Sequence, residues 1–229
     1  ILNPILDELN SHMVDGIIYI AGHARKINCF PENFGTPAVM AYAYDQNPMV
    51  SAVLPDDETS AYQMTRYLIR KGHKKIALLA GREDNLHTRR RLKGYQNALF
   101  DAQILYNPRL VRYVDWNKPS GYQETKRLLK EDITAIFCMA DTIAGGVYQY
   151  LDEQGLRAGR DVSVVGFDNQ VLSEYMIPGL TTMALPLKEI GTTSAKLLFD
   201  QIEKGEVEMN REILIPCFLV ERCSVKEIK

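Results

Sequence analysis

The sequence predicts an α/β protein built on parallel sheets covered by helices on both faces. Three observations carry that expectation. Several short segments are apolar throughout rather than alternating, such as KIALLAG (75–81), TAIFCMA (134–140) and DVSVVGF (161–167), as strands buried on both faces must be. Amphipathic, helix-length stretches separate them, which is the order a parallel sheet requires. The chain has 229 residues, 46% of them hydrophobic and 24% charged, enough for the core of one large domain or two small ones.

The elements follow in order. Asn3 and Pro4 suit the start of a helix, as cap and first turn. DGIIYIA (15–21), TPAVMAY (36–42) and MVSAVL (49–54) read as strands. Asp56 or Asp57 is placed as the cap of a helix that stops at Gly72, where a left-handed residue is needed. After the strand 75–81 comes a helix over roughly 88–103, then RLVRYV (109–114) as a strand and SGYQETKRLLKE (120–131) as a helix. The strand 134–140 precedes a helix that begins at Asp141 and ends near Gly155, and 161–167 follows as a strand. LTTMALP (180–186) is a strand, and 187–205 a helix with Leu187, Ile190, Leu197, Leu198 and Ile202 on one face. EILIPCFLVERCSV (212–225) is extended. Ligands of parallel sheets gather at the carboxyl ends of strands. This directs attention to the stretch Gly81 to Arg91, to Asp115 and Trp116, to Ala140 and Asp141, and to Asp168.

Several function classes are disfavoured. A net charge of -2 does not suit a general phosphate-binding surface, so the triplet Arg89, Arg90 and Arg91 is a local feature. The cysteines, Cys29, Cys138, Cys217 and Cys223, include no C-x-x-C pair and have no ligand spacing with His12, His23, His73 or His87. Reduced thiols are therefore expected, with no metal and no cofactor. No G-x-S-x-G, H-E-x-x-H, P-loop or G-x-G-x-x-G occurs, and no nucleophile–base pair is legible, so no enzyme is expected. There is no apolar run of membrane-spanning length.

Three ordered blocks resemble one family: RYLIRKGHKKIALLAG followed by RLKGY; TAIFCMADTIAGGVYQYLDEQGL; and DVSVVGFDN with PGLTTMALPLKEIGTTSAKLL and LVERCSV. The chain from about Asp15 onward looks like the effector-binding core of the lactose-repressor (LacI/GalR) family of bacterial transcription regulators. The resemblance implies a two-subdomain, periplasmic-binding-protein-like fold of type I with three crossover strands, LTTMALP being one. It places residues 1–73 with 186–206 in an N-terminal subdomain, lacking its first strand–helix–strand, and 74–185 with 207–229 in a C-terminal one. A small effector, a sugar first and a purine second, would be clamped between them and change operator binding by an N-terminal helix-turn-helix absent from this sequence. A homodimer and a cytoplasmic location are implied. The alternative is a periplasmic-type sugar-binding protein serving transport.

The resemblance also proposes site residues. Arg91, in R-L-K-G-Y, would anchor effector hydroxyls with its fork of donors, the other reading being a solvated helix arginine. Asn85 and His87 would add polar contacts, against a plain helix start capped by Thr88; a ligand-bound His87 would make affinity depend on pH. Trp116, the single tryptophan, would stack on a sugar or base, or else fill the core or rim. Asp168, in GFDN, would accept from effector hydroxyls, or cap a strand end. Asp141 reads first as a helix cap and second as a ligand contact; relatives carry Asn-Asp where this chain has Ala140-Asp141. Tyr42 would line the cleft from the other subdomain.

Overall fold

The computed structural model describes residues 2–21, 26–205, 209 and 211–228, so His23 and the boundary expected at 206–207 lie outside the described residues. In chain order the first elements are α1 (Leu2–Ser11), β1 (Ile17–Ile20), β2 (Lys26–Ile27), β3 (Ala38–Ala41), β4 (Tyr44–Asp45) and β5 (Ser51–Pro55). Then come α2 (Asp57–Arg70), β6 (Ile76–Ala80), α3 (Leu86–Asp101), β7 (Val111–Tyr113), α4 (Lys118–Leu128), β8 (Ala135–Cys138) and α5 (Asp141–Glu153). The chain continues with β9 (Ser163–Asp168), α6 (Leu172–Tyr175), β10 (Thr181–Ala184), α7 (Leu187–Lys204), β11 (Glu212–Ile215) and β12 (Phe218–Val220). This is the α/β alternation expected, with the short β2, β4 and α6 added.

Two compact units result, one of Ile1–Asp56 with Pro186–Pro216, the other of Asp57–Leu185 with Cys217–Lys229. The chain passes from one to the other three times, at 56–57, 185–186 and 216–217. The first unit holds a parallel sheet in the order β1-β3-β5-β11, with β2 and β4 paired beside it. Its core joins Val39, Ala41 and Val53 to Ile190 and Leu197 of α7. Leu187 does not share that core face: it is 62% exposed. It opens the first turn of α7, before the helix has settled onto the sheet.

The second unit holds a six-stranded sheet in the order β12-β10-β9-β8-β6-β7. All neighbours are parallel except β12, which runs antiparallel to β10. Helices α2 and α3 cover one face, where Met64, Leu68, Tyr95 and Leu99 pack on Leu78, Phe137 and Phe167. Helices α4 and α5 cover the other, where Leu128, Ile143 and Val147 meet Leu79, Ile136 and Val164.

The unit boundaries differ from those expected. Helix α2 buries its apolar stripe in the second unit's core, so the division falls at 56–57 rather than near 73. The tail also divides: β11 extends the first sheet beside β5, and only from Cys217 does the chain join the second unit. The α2–α3 contact explains Gly94, since a methyl there would stand 2.1 Å from the carbonyl oxygen of Glu58.

Candidate functional site

A charged cluster lies at the carboxyl ends of β6, β8 and β9. His87 and Arg91 are four residues apart on α3, a spacing that puts both on one face. That face meets Asp57, the first residue of α2. His87 Nδ1 lies 2.5 Å from Asp57 Oδ2, and Arg91 Nε donates to Asp57 Oδ1 at 2.7 Å. Arg91 also donates through Nη1 to the carbonyl oxygen of Met139, just past β8. Its guanidinium carbon sits 3.5 Å from the centre of the Phe167 ring, a stacked cation–π contact. Asp168 Oδ1 is 3.8 Å from Arg91 Nη1. The side chain of Arg91 is only 2% exposed, whereas Arg89 is exposed and Arg90 half-buried, so one arginine of the triplet turns inward.

Burial sets the proton affinities here. Burial alone would raise the Asp57 carboxyl, but the Arg91 charge and the bonds from His87 and Arg91 hold it below the ordinary carboxylate range. Burial lowers His87 more than Asp57 raises it, so the ring is neutral near pH 7 and its Nδ1–H donates to ionised Asp57. The carboxyl raised toward neutral pH in this cluster is Asp168. Burial pushes the Asp168 carboxyl up to about 7; Arg91 opposes this, and the charges of Asp141 and Asp57 add to it. Asp168 and Asn169 both have positive φ, +108° and +54°, a costly backbone for these residues at the end of a strand.

The other expected residues have definite places. Asn85 caps α3, its side chain accepting from the amides of His87 at 2.8 Å and Thr88 at 3.4 Å, so the cap is Asn85 and not Thr88. Trp116 is half-buried against both cores of the unit. Its indole lies against Gly81: a methyl at Gly81 would stand 1.9 Å from Trp116 Cζ2. Asp141 is wholly buried, and both of its oxygens accept hydrogen bonds within the unit. Tyr42 follows β3 in the first unit with φ +64°, partly buried against that unit's core. Thus Arg91, His87 and Asp168 come together, Asn85 caps the helix that carries two of them, Trp116 lies against Gly81 just past β6, Asp141 bonds to the turn after Asp168, and Tyr42 belongs to the other unit.

Sequence reasoning missed Asp57, read only as a cap; no local signal links it to partners 30 and 34 residues away. It also missed Phe167 and the Met139 carbonyl, which carry no motif. The four cysteines are thiols, three of them buried. Among the described residues no group of His, Cys, Asp and Glu could hold a metal ion, and no helix is long and apolar enough to cross a membrane.

Residues 65–225 match the model of the periplasmic binding protein-like domain. The chain is 30% identical over 230 residues to the ribose operon repressor of Haemophilus influenzae, covering 100% of this chain and 69% of that protein. It is 34% identical over 226 residues to the HTH-type transcriptional repressor CytR of Escherichia coli, covering 97% and 66%. A solved LacI family transcriptional regulator from Enterococcus faecium with bound ribose matches 98% of this chain and 84% of its own, with 32% identity and a TM-score of 0.82. The chain spans between 55% and 69% of the length of the curated relatives it matches.

Proposed function

This chain belongs to the LacI family of periplasmic-binding-protein-like transcription regulators, and on that premise we propose that it is the effector-binding core of a repressor. The effector is a small polyhydroxylated molecule, a sugar and first of all a pentose. It binds at the carboxyl-end rim of the second unit's sheet. The observation that carries this reading is the Arg91–Asp168 pair. Arg91 is immobilised by Asp57, Met139 and Phe167 before any ligand arrives, and Asp168 is held beside it on costly backbone. A fixed donor fork next to a fixed carboxylate suits vicinal hydroxyls, which donate to one and accept from the other. Trp116 offers an apolar ring at the same rim for the C–H face of a sugar.

In the whole protein, effector occupancy shifts the balance between two arrangements of a homodimer in the cytoplasm and so changes operator binding by DNA-binding heads. Only a difference in effector affinity between the arrangements can drive that shift. Relatives named as repressors, and a neighbour named as a transcriptional regulator that holds ribose, support this over a sugar-binding protein of a transporter or an enzyme.

Thermal unfolding against ribose, other pentoses, hexoses, sugar phosphates and purines tests the reading. A true effector at a hundred times its dissociation constant stabilises by roughly 2.7 kcal/mol. The expected result is a sugar hit abolished by Arg91→Ala and by Trp116→Ala. A hit that survives both substitutions would place the site elsewhere.

A further inference from the structure

The turn after β9 is held in a shape its residues resist. Asp168 and Asn169 take positive φ in succession. Residues other than glycine keep such backbone only where the surroundings over-determine it. One tether is Asp141. Its Oδ2 accepts the backbone N–H of Gln170 at 2.7 Å, and its Oδ1 accepts the hydroxyl of Thr182, on β10, at 2.6 Å. The carboxylate is wedged against β9 itself, since a methyl at Gly166 would stand 2.2 Å from Asp141 Oδ1. Burial raises this carboxyl to about 6, with the bonds from Thr182 and Gln170 pulling the other way, so it is ionised at pH 7 and both oxygens accept. Although Asp141 opens α5, that helix start shows no side-chain capping bond. A second tether comes from the chain's end: Arg222 Nη2 donates to Asn169 Oδ1 at 2.9 Å, while its Nη1 donates to the carbonyl oxygen of Leu180 at 2.8 Å.

We infer that Asp141 is a positioning residue: wedged between β9, β10 and the following turn, it fixes Asp168 opposite Arg91 and itself makes no contact with the effector. The inference rests on the Arg91–Asp168 reading above. It also accounts for a buried carboxylate that makes no capping bond at its helix start and spends both oxygens on β10 and the turn after β9.

Amide hydrogen exchange of the whole chain tests this without any ligand. In Asp141→Ala the amides of 168–170 should exchange about ten- to a hundredfold faster, while Val164 and Val165 of β9 keep their protection. Asp141→Asn should restore most of it, because an amide can still accept from Gln170. Protection at 168–170 that survives Asp141→Ala, or an equal loss along β9, would overturn the inference. If Asp141→Ala does not fold, Thr182→Val removes one anchor and should give a smaller local increase; no increase there overturns it equally. The second arm titrates D-ribose. Asp141→Ala should weaken ribose in the wild-type background but not in Asp168→Asn, since the effect passes through Asp168; equal loss in both backgrounds would contradict it. A wild type indifferent to ribose counts against the proposed effector, and the exchange comparison then decides the role of Asp141 by itself.

Discussion

Replacing Asp168 with asparagine should stabilise the second unit, and the gain should grow with pH. In the fold the Asp168 carboxyl titrates at about 7, against an ordinary 3.8. The ionised form is the one the fold disfavours. Below the unfolded value both states are protonated and nothing is lost. As pH rises through the interval, the unfolded chain ionises freely while the folded one resists, so stability falls by about 1.4 kcal/mol per pH unit until the folded group ionises as well. The whole interval, about three units, corresponds to roughly 4 kcal/mol at pH 8. The attraction to Arg91, 3.8 Å away, is already contained in that value: it lowers the titration point and is outweighed by burial. Asparagine carries no charge and tolerates positive φ about as readily as aspartate, so the backbone conformation of the turn is not penalised further.

Urea unfolding followed by Trp116 fluorescence measures this, because the single tryptophan lies in the unit concerned. Near pH 4 the variant and wild type should unfold within about 0.5 kcal/mol of each other, and near pH 8 the variant should be ahead by roughly 3–4 kcal/mol. Comparing the two proteins cancels every titrating group that does not interact with Asp168. A difference that does not change with pH, or a variant less stable near pH 8, would refute the reasoning. The same variant should bind effector more weakly, since a charged acceptor for hydroxyls has become a neutral one, worth about a tenfold loss. In wild type, affinity should rise as pH passes upward through about 7, where Asp168 becomes ionised.

Other substitutions should separate the parts of the site. Asp57→Asn removes the nearer of the two carboxylates beside the buried Arg91 guanidinium, leaving only Asp168 at 3.8 Å, and should cost about 3–5 kcal/mol in urea unfolding; a cost below 1 kcal/mol would mean that Asp168 or solvent replaces it. Wild type should likewise lose the Asp57 contribution only in strong acid, as pH falls through a titration point held below 3.8. Gly81→Ala should displace the indole of Trp116, which now lies where the methyl would go. It should shift the tryptophan emission and cost about 1–3 kcal/mol, with effector affinity falling alongside; unchanged emission would contradict the contact. Gly94→Ala drives a methyl into the Glu58 carbonyl and should lower stability by at least 2 kcal/mol while leaving emission in the folded state unchanged.

What could be read from the sequence, and what could not, divides by separation along the chain. Signals that act within one turn of backbone were legible: the all-apolar runs became β6, β8 and β9, and Gly72 stops α2 with φ +91°. The inward arginine was legible only through the family resemblance carried by R-L-K-G-Y; the structure adds that Gly94 of that motif must be small where α3 crosses α2. Nothing local says what holds Arg91. Asp57 looks like any acidic residue at a helix start, and its role exists only because α2 packs on α3 in the second unit rather than staying with the residues before it. The same misplacement of α2 moved the expected unit boundary, so one unseen contact produced both errors. Asp141 shows the converse. Its position at a helix start is visible, but its hydrogen-bond partners are a hydroxyl 41 residues away and an amide 29 residues away. A motif of this kind marks where a donor or acceptor sits. Whether that group meets the ligand or holds in place the group that does depends on burial and partners, and the division proposed for this rim gives Arg91 and Asp168 the first role and Asp57 and Asp141 the second.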